Sequence, residues 1–191
     1  MHWALTGVVV AVWVAFVLYW GVSARSRPSA AERKEALPSR LAYLGLLALA
    51  IALLALDPPI EGPLQGRFVP AGMAASLIGL AVLLLGLLFA VTARQHLGRN
   101  WSARVSLGEG QQLVRTGPYR VVRHPIYLGG IVGVAGTAIV IGEVRALLAV
   151  ALVVVVAVLK LRTEEALLGD HFGPAYRRYQ QDVKALIPFL Y

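Results

Sequence analysis

The chain has 191 residues, 58% hydrophobic and only 15% charged, with a formal net charge of +8. A soluble domain carries about a quarter charged residues, and here the apolar residues come in unbroken blocks, which excludes a soluble bundle and points to an integral membrane protein. The chain has no cysteine, hence no disulfide framework and no thiolate ligand or nucleophile, and in a membrane chain the positive charge is read as topology signal and attraction to anionic lipid headgroups, not as a nucleic-acid surface.

The first apolar block, Trp3 to Val22, is free of charge. Ser23 and Ala24 follow it in the manner of a cleavage site. No Lys or Arg precedes it, however, and it exceeds the ~7–15 residues of a signal core, so it is read as a retained helix. A polar stretch from Arg25 to Arg40 precedes a second helix, capped by Ser39 and running to Leu56, where Asp57-Pro58-Pro59 stops it. Pro70 opens a third span, Ala71 to Val91, and a polar segment from Thr92 to His124 follows. Pro125 to Ile141 is the fourth span, with Gly142 to Arg145 a tight connection. Ala146 to Leu159 is the fifth, expected to continue as helix past the membrane face to Leu168. From Asp170 to Tyr191 the pattern suggests a short amphipathic interfacial helix.

The charges test this count. Lys and Arg number five in the first loop, six in the third and five after the fifth span, against one in each of the second and fourth loops. The positive-inside rule then puts the N-terminus outside and the C-terminus in the cytoplasm. The expected fold is all-α: one domain over 1–191, with three spans in 1–91 and two more in 92–191. Any chemistry falls at the cytoplasmic boundary, in a pocket between the 92–125 segment and the C-terminal helices.

Two stretches there could carry it. In Thr116-Gly117-Pro118-Tyr119 a turn precedes Arg120, Arg123 and His124, and Pro125 starts a helix whose first N–H groups, at Ile126 and Tyr127, form a positive pole. Two readings fit: basic side chains snorkelling to headgroups beside an aromatic belt, or a site for a carboxylate or phosphate. On the fifth helix, Lys160 and Glu164 share a face at i,i+4, and the adjacent acids Glu164 and Glu165 are costly near a bilayer unless they meet a cation or water. They form either a solvated helix end or one wall of a pocket for a cationic ligand. An anion-binding helix start opposite a carboxylate suits an amino-acid-like ligand. Gly108-Glu109-Gly110 lacks a Rossmann fingerprint's third glycine. The four histidines have no metal-ligand spacing, so no metal site is expected. Gly129 and Gly133 form a G-x-x-x-G that serves close packing within the protein or dimerisation.

Gly117-Pro118-Tyr119, Arg123-His124-Pro125-Ile126-Tyr127-Leu128-Gly129, Glu164-Glu165 and Phe172-Gly173-Pro174-Ala175-Tyr176-Arg177-Arg178-Tyr179, closing on Ile187-Pro188, occur in that order. This combination, over residues 94–190, resembles the isoprenylcysteine carboxyl methyltransferase family and its phospholipid N-methyltransferase relatives. The resemblance implies a membrane methyltransferase using S-adenosyl-L-methionine and a lipophilic acceptor reaching it from the bilayer. It implies cofactor contacts from Arg104, Gln111, Gln112, Leu113, Val114, Tyr119, His124, Pro125, Ile126, Tyr127 and Glu164. His124 and the helix start would receive the methionyl carboxylate, and Glu164 would offset its ammonium. Lys160 stands where the family has a basic residue, usually Arg, near the acceptor, with Arg162 two residues on; with Glu164 these form the catalytic set. Composition suggests a bacterial cytoplasmic membrane. The resemblance implies an acceptor that is an isoprenylcysteine-like carboxylate or a phospholipid amine. An NADPH-dependent reductase of the sterol type should show extra basic residues where Glu164-Glu165 stand, and a non-catalytic scaffold should show a broken motif.

Overall fold

A computed structural model of the chain describes residues 2–24, 37–56, 62–98 and 112–187. Among them the protein is all-helical: α1 (His2–Ala24), α2 (Leu37–Ala55), α3 (Met73–Leu97), α4 (Pro125–Ile141), α5 (Val144–Phe172) and α6 (Pro174–Asp182), with short 3-10 turns at Pro63–Gln65 and Gly117–Arg120. Three helices are long and apolar enough to cross a membrane, Leu5–Ser23, Met73–Leu97 and Val144–Phe172. Ser39–Ala55 and Pro125–Ile141 are apolar but shorter. The 17 residues of α4 reach about 25 Å, below the ~30 Å hydrocarbon thickness.

The sequence placed α4 to the residue. Pro125 supplies a first position needing no N–H partner, and Gly142 ends the helix at φ 73°, donating its N–H to Ala138 O at 2.8 Å. A left-handed residue here is the ordinary glycine stop. It leaves one residue before α5, which runs unbroken for 29 residues, so the expected extension past Leu159 is present and longer than read. Other limits differ. Ser39 lies inside α2, which starts two residues earlier with Pro38 in its first turn, where a proline is tolerated. The stop at Asp57-Pro58-Pro59 lies outside the described residues. The third helix begins at Met73 and continues six residues past Val91. The extension holds because Arg94 donates to Gly98 O and Ser23 O, serving the C-terminal carbonyls of α3 and α1. At the carboxyl end, Asp170 to Phe172 still belong to α5. The amphipathic helix is only the nine residues of α6, after which the chain turns into an extended strap.

The closest helix pair is α3 against α4, and small residues make it so. A Cβ added at Gly86 would lie 2.6 Å from Gly133 N and 2.8 Å from Gly129 O; one at Gly79 would lie 2.7 Å from Gly136 O. The G-x-x-x-G of α4 is therefore occupied within the chain, backbone against backbone. α5 packs on both α2 and α4. α1 rests on α3 through Val9, with Trp13 and Phe16 against Leu83 and Leu87. Trp13 donates its indole N–H to Thr137 of α4 at 3.0 Å. Large aliphatic side chains elsewhere on α1, α2 and α3 face outward, as lipid-facing helices require. At the α4–α5 hairpin end, buried Arg145 donates to Leu53 O and Leu56 O and pairs with Glu143, closing the carbonyl end of α2.

The seam makes a specific demand. Gly86→Ala should lower stability by about 1–3 kcal/mol, the usual cost of overpacking. Gly130→Ala, where nothing lies within 4 Å of the new methyl, should be neutral or stabilising. Thermal unfolding midpoints in detergent read both, and equal shifts would contradict this packing.

Candidate functional site

The site lies at the end of the bundle opposite the α4–α5 hairpin, where three pieces of chain meet. The first is the turn before α4. Pro118 sets the 3-10 turn and Tyr119 is buried. Gly117, at φ 59°, leaves room for the His96 ring, which a Cβ would approach to 2.7 Å. His96 Nε2 and Thr116 Oγ1 lie 2.8 Å apart, and the His96 ring stacks near Tyr119, so the end of α3 holds the turn. The second piece is the strap after α6. The N–H groups of Arg123 and His124 donate to Lys184 O at 2.8 Å and Ala185 O at 3.0 Å, with Ala185 and Leu186 buried. The third is the far end of α5, with Glu164 and Glu165.

Glu165 is the convergence point. Its Oε1 accepts from Arg123 Nε at 2.6 Å, His124 Nε2 at 3.0 Å and the Tyr176 hydroxyl at 3.3 Å; its Oε2 accepts from Gln180 Nε2 at 3.1 Å. Arg123 also donates to Gln180 O and Val183 O. One carboxylate thus ties α5 to the start of α4 and to α6. Glu164, one residue earlier, points differently. Its Oε2 accepts from the Tyr127 hydroxyl at 3.1 Å and lies 3.8 Å from His124 Nδ1; its side chain is 36% exposed against 17% for Glu165. Around this centre Tyr179 donates to Tyr119 O at 2.5 Å, and Arg115 pairs with Asp182 at 2.6 Å while lying over the Tyr179 ring. Burial pushes the phenols of Tyr119, Tyr176 and Tyr179 up, so each stays protonated.

The residues expected from sequence divide accordingly. His124, Tyr127 and Glu164 come together. Pro125 is fully buried beneath them and Ile126 half-buried. Tyr119 sits one layer away, against Tyr179 and His96. Leu113 and Val114 are half-buried and Gln112 exposed, while Arg104 and Gln111 lie outside the described residues. Lys160 turns its ammonium to the Tyr43 ring of α2, 5.7 Å from the centroid, and Arg162 is exposed. Among the described residues no three His, Cys, Asp or Glu side chains gather as a metal site. The positive pole is not as open as the sequence implied, because Arg123 is already held by Glu165 and two carbonyls. Arg123 was expected at an anion site and instead pairs with Glu165; Glu165, Tyr176, Tyr179 and Gln180 were given no role in the expected site. Their one signal was the pairing of an adjacent Arg-His with an adjacent Glu-Glu.

These features define an integral membrane protein, all-helical, with a polar cluster built where helix ends meet. The phospholipid methyltransferase family model (PEMT) matches residues 74–175, which span the glycine seam, the turn and the whole of α5; the chain belongs to this family. Similar proteins include the protein-S-isoprenylcysteine O-methyltransferase B of Arabidopsis thaliana, 31% identical over 59% of this chain and 58% of that one. The protein-S-isoprenylcysteine O-methyltransferase of Schizosaccharomyces pombe is 32% identical over 58% and 48%. A nickel-cobalt-cadmium resistance protein, NccN, of Alcaligenes xylosoxydans xylosoxydans is 33% identical over 59% and 53%. The structure of the eukaryotic intramembrane Ras methyltransferase ICMT (isoprenylcysteine carboxyl methyltransferase) superposes with a TM-score of 0.52 at 25% identity, covering 83% of this chain and 55% of that one. The chain spans about half to three fifths of the curated relatives it matches.

Removing one partner of a buried ion pair strands the other charge and costs about 3–5 kcal/mol, and the part-buried Arg123–Glu165 pair approaches that case. Arg123→Leu should therefore strongly lower the unfolding midpoint in detergent, whereas Arg120→Leu, at an exposed position, should leave it nearly unchanged. Similar midpoints for the two variants would show that Glu165 does not organise this end.

Proposed function

We propose that this protein is an S-adenosylmethionine-dependent membrane methyltransferase whose acceptor is the carboxylate of a lipophilic, isoprenylcysteine-like molecule. The observation that carries the proposal is the division of labour between the two adjacent acids. Glu165 is consumed by Arg123 and His124, whereas the Glu164 side chain stays 36% exposed beside Tyr127 and His124. A partly open carboxylate with aromatic neighbours fits a ligand bearing an ammonium and a sulfonium. The likeness to named isoprenylcysteine methyltransferases in sequence and fold supports the same class.

When bound, S-adenosylmethionine supplies a methyl group on a sulfonium that loses its charge on transfer. The protein's task is then to bind, orient and exclude water. Glu164 and Tyr127 hold the ligand's cationic end, and the buried Pro125 and Val122 keep the floor dry. Lys160 precedes Glu164 by one helical turn, about 6 Å along the axis towards the apolar part of α5. A cation there attracts a carboxylate acceptor and disfavours an ammonium, and a carboxylate needs no general base whereas an amine must shed a proton. The family model's description favours a second reading, N-methylation of a phospholipid amine.

In this reading the protein forms one domain of five spans in a bacterial cytoplasmic membrane, with the two shorter apolar helices also crossing it. The N-terminus lies outside and the site faces the cytoplasm, where basic loops meet anionic lipids. The acceptor enters sideways from the bilayer. A cysteine replacing Gly62 should react from outside and one replacing Arg178 from the cytoplasm; the reverse labelling would overturn the orientation.

The direct assay gives the purified protein methyl-labelled S-adenosylmethionine with either an S-farnesylcysteine free acid or phosphatidylethanolamine. Label is expected as a base-labile ester on the first. Label on the amine would establish the second reading, and label on neither would remove the activity. Glu164→Gln should weaken S-adenosylhomocysteine binding about tenfold or more, the worth of a charge-assisted hydrogen bond. Lys160→Ala should reduce turnover of the carboxylate acceptor while sparing cofactor affinity; lost cofactor binding would contradict its placement.

A further inference from the structure

We infer that Glu165 is a positioning residue that holds His124 as the neutral imidazole with its proton on Nε2, so that His124 Nδ1 and Glu164 Oε2 together form one acceptor site for the ammonium group of the methyl donor. This rests on the cofactor reading above. It differs from the sequence expectation, which gave His124 the donor's carboxylate.

The His124 ring is buried, its side chain 4% exposed, and lies between two carboxylates on consecutive residues of α5. Its Nε2 is 3.0 Å from Glu165 Oε1. An ionised carboxylate only accepts, and Arg123 Nε, 2.6 Å from the same oxygen, supplies the countercharge. Nε2 therefore carries the ring proton. In a neutral imidazole the other nitrogen is then an acceptor. That nitrogen, Nδ1, faces Glu164 Oε2 at 3.8 Å, beyond hydrogen-bond reach.

Two acceptors face each other across a gap, one of them anionic and 36% exposed. In that tautomer they cannot satisfy one another. The group that satisfies both has several N–H donors and a positive charge, which is an ammonium. The charges agree: Arg123 answers Glu165, and Tyr127 gives Glu164 a hydrogen bond without a charge, leaving the Glu164 anion for a cationic ligand. Exposure sets the direction of approach, from the Glu164 side towards the buried ring.

Full-length protein in lipid nanodiscs is titrated with S-adenosylhomocysteine and with its des-amino analogue, for wild type and Glu165→Met, which removes the acceptor at similar side-chain length. The amino-bearing ligand should lose about tenfold or more in affinity, and the des-amino ligand much less. Equal losses would reduce Glu165 to a support of the fold and overturn the inference. Failure of wild type to bind either ligand would instead overturn the cofactor reading itself. Should Glu165→Met not fold, the wild type decides alone. In ¹⁵N-histidine spectra at mildly alkaline pH, with the signal assigned by its loss in His124→Asn, the proton is expected on Nε2. A proton on Nδ1 would overturn the inference.

Discussion

The charged hydrogen bond between Arg123 and Glu165 holds together the end of the bundle on which the proposed chemistry depends. Arg123 is the last residue but one before α4, Glu165 lies near the end of α5, and Tyr176 and Gln180, which donate to the same carboxylate, belong to α6. A carboxylate removed from water must find donors or become neutral. Here it collects four, so three separate helices are fixed by one side chain. The strap after α6 is fixed with them, because the guanidinium also donates to Gln180 O and Val183 O. The backbone of residues 123 and 124 closes the same joint from the other side.

Behind this joint the glycine seam does a different job. α3 and α4 approach until their backbones touch at Gly79, Gly86, Gly129 and Gly136. In lipid there is no hydrophobic drive to bring helices together, so close van der Waals packing must supply it. A tight α3–α4 pair fixes the position of Pro125 and therefore of His124. The length of α5 then matters, since a shorter helix would not carry Glu164 and Glu165 past the apolar layer to meet it.

Much of this was legible in the sequence because punctuation was strong. Pro125 and Gly142 bound α4 unambiguously, and α5 was expected to outrun its apolar run. Limits set by weaker signals moved: Ser39 resembled a cap but lies within α2, and α3 runs through Thr92 to Leu97 because Arg94 finds carbonyls on two helices. The pocket's polar pairing was the least legible. Glu164 and Glu165 are neighbours in sequence but about 100° apart around a helix, and the sequence does not say which one ties the Arg123–His124 turn to α6 and which stays open. Glu165 went unassigned for that reason. Arg123 was read as part of an anion site because its partner lies 42 positions away.

The central claim is that the Glu164 side of this joint is a cofactor pocket. The most direct measurement is calorimetric titration of the purified wild-type protein with S-adenosylhomocysteine, with NADPH titrated in parallel. Saturable binding of S-adenosylhomocysteine at one site per chain, with none of NADPH, is the expected result. Binding of NADPH alone, or of neither, would contradict it.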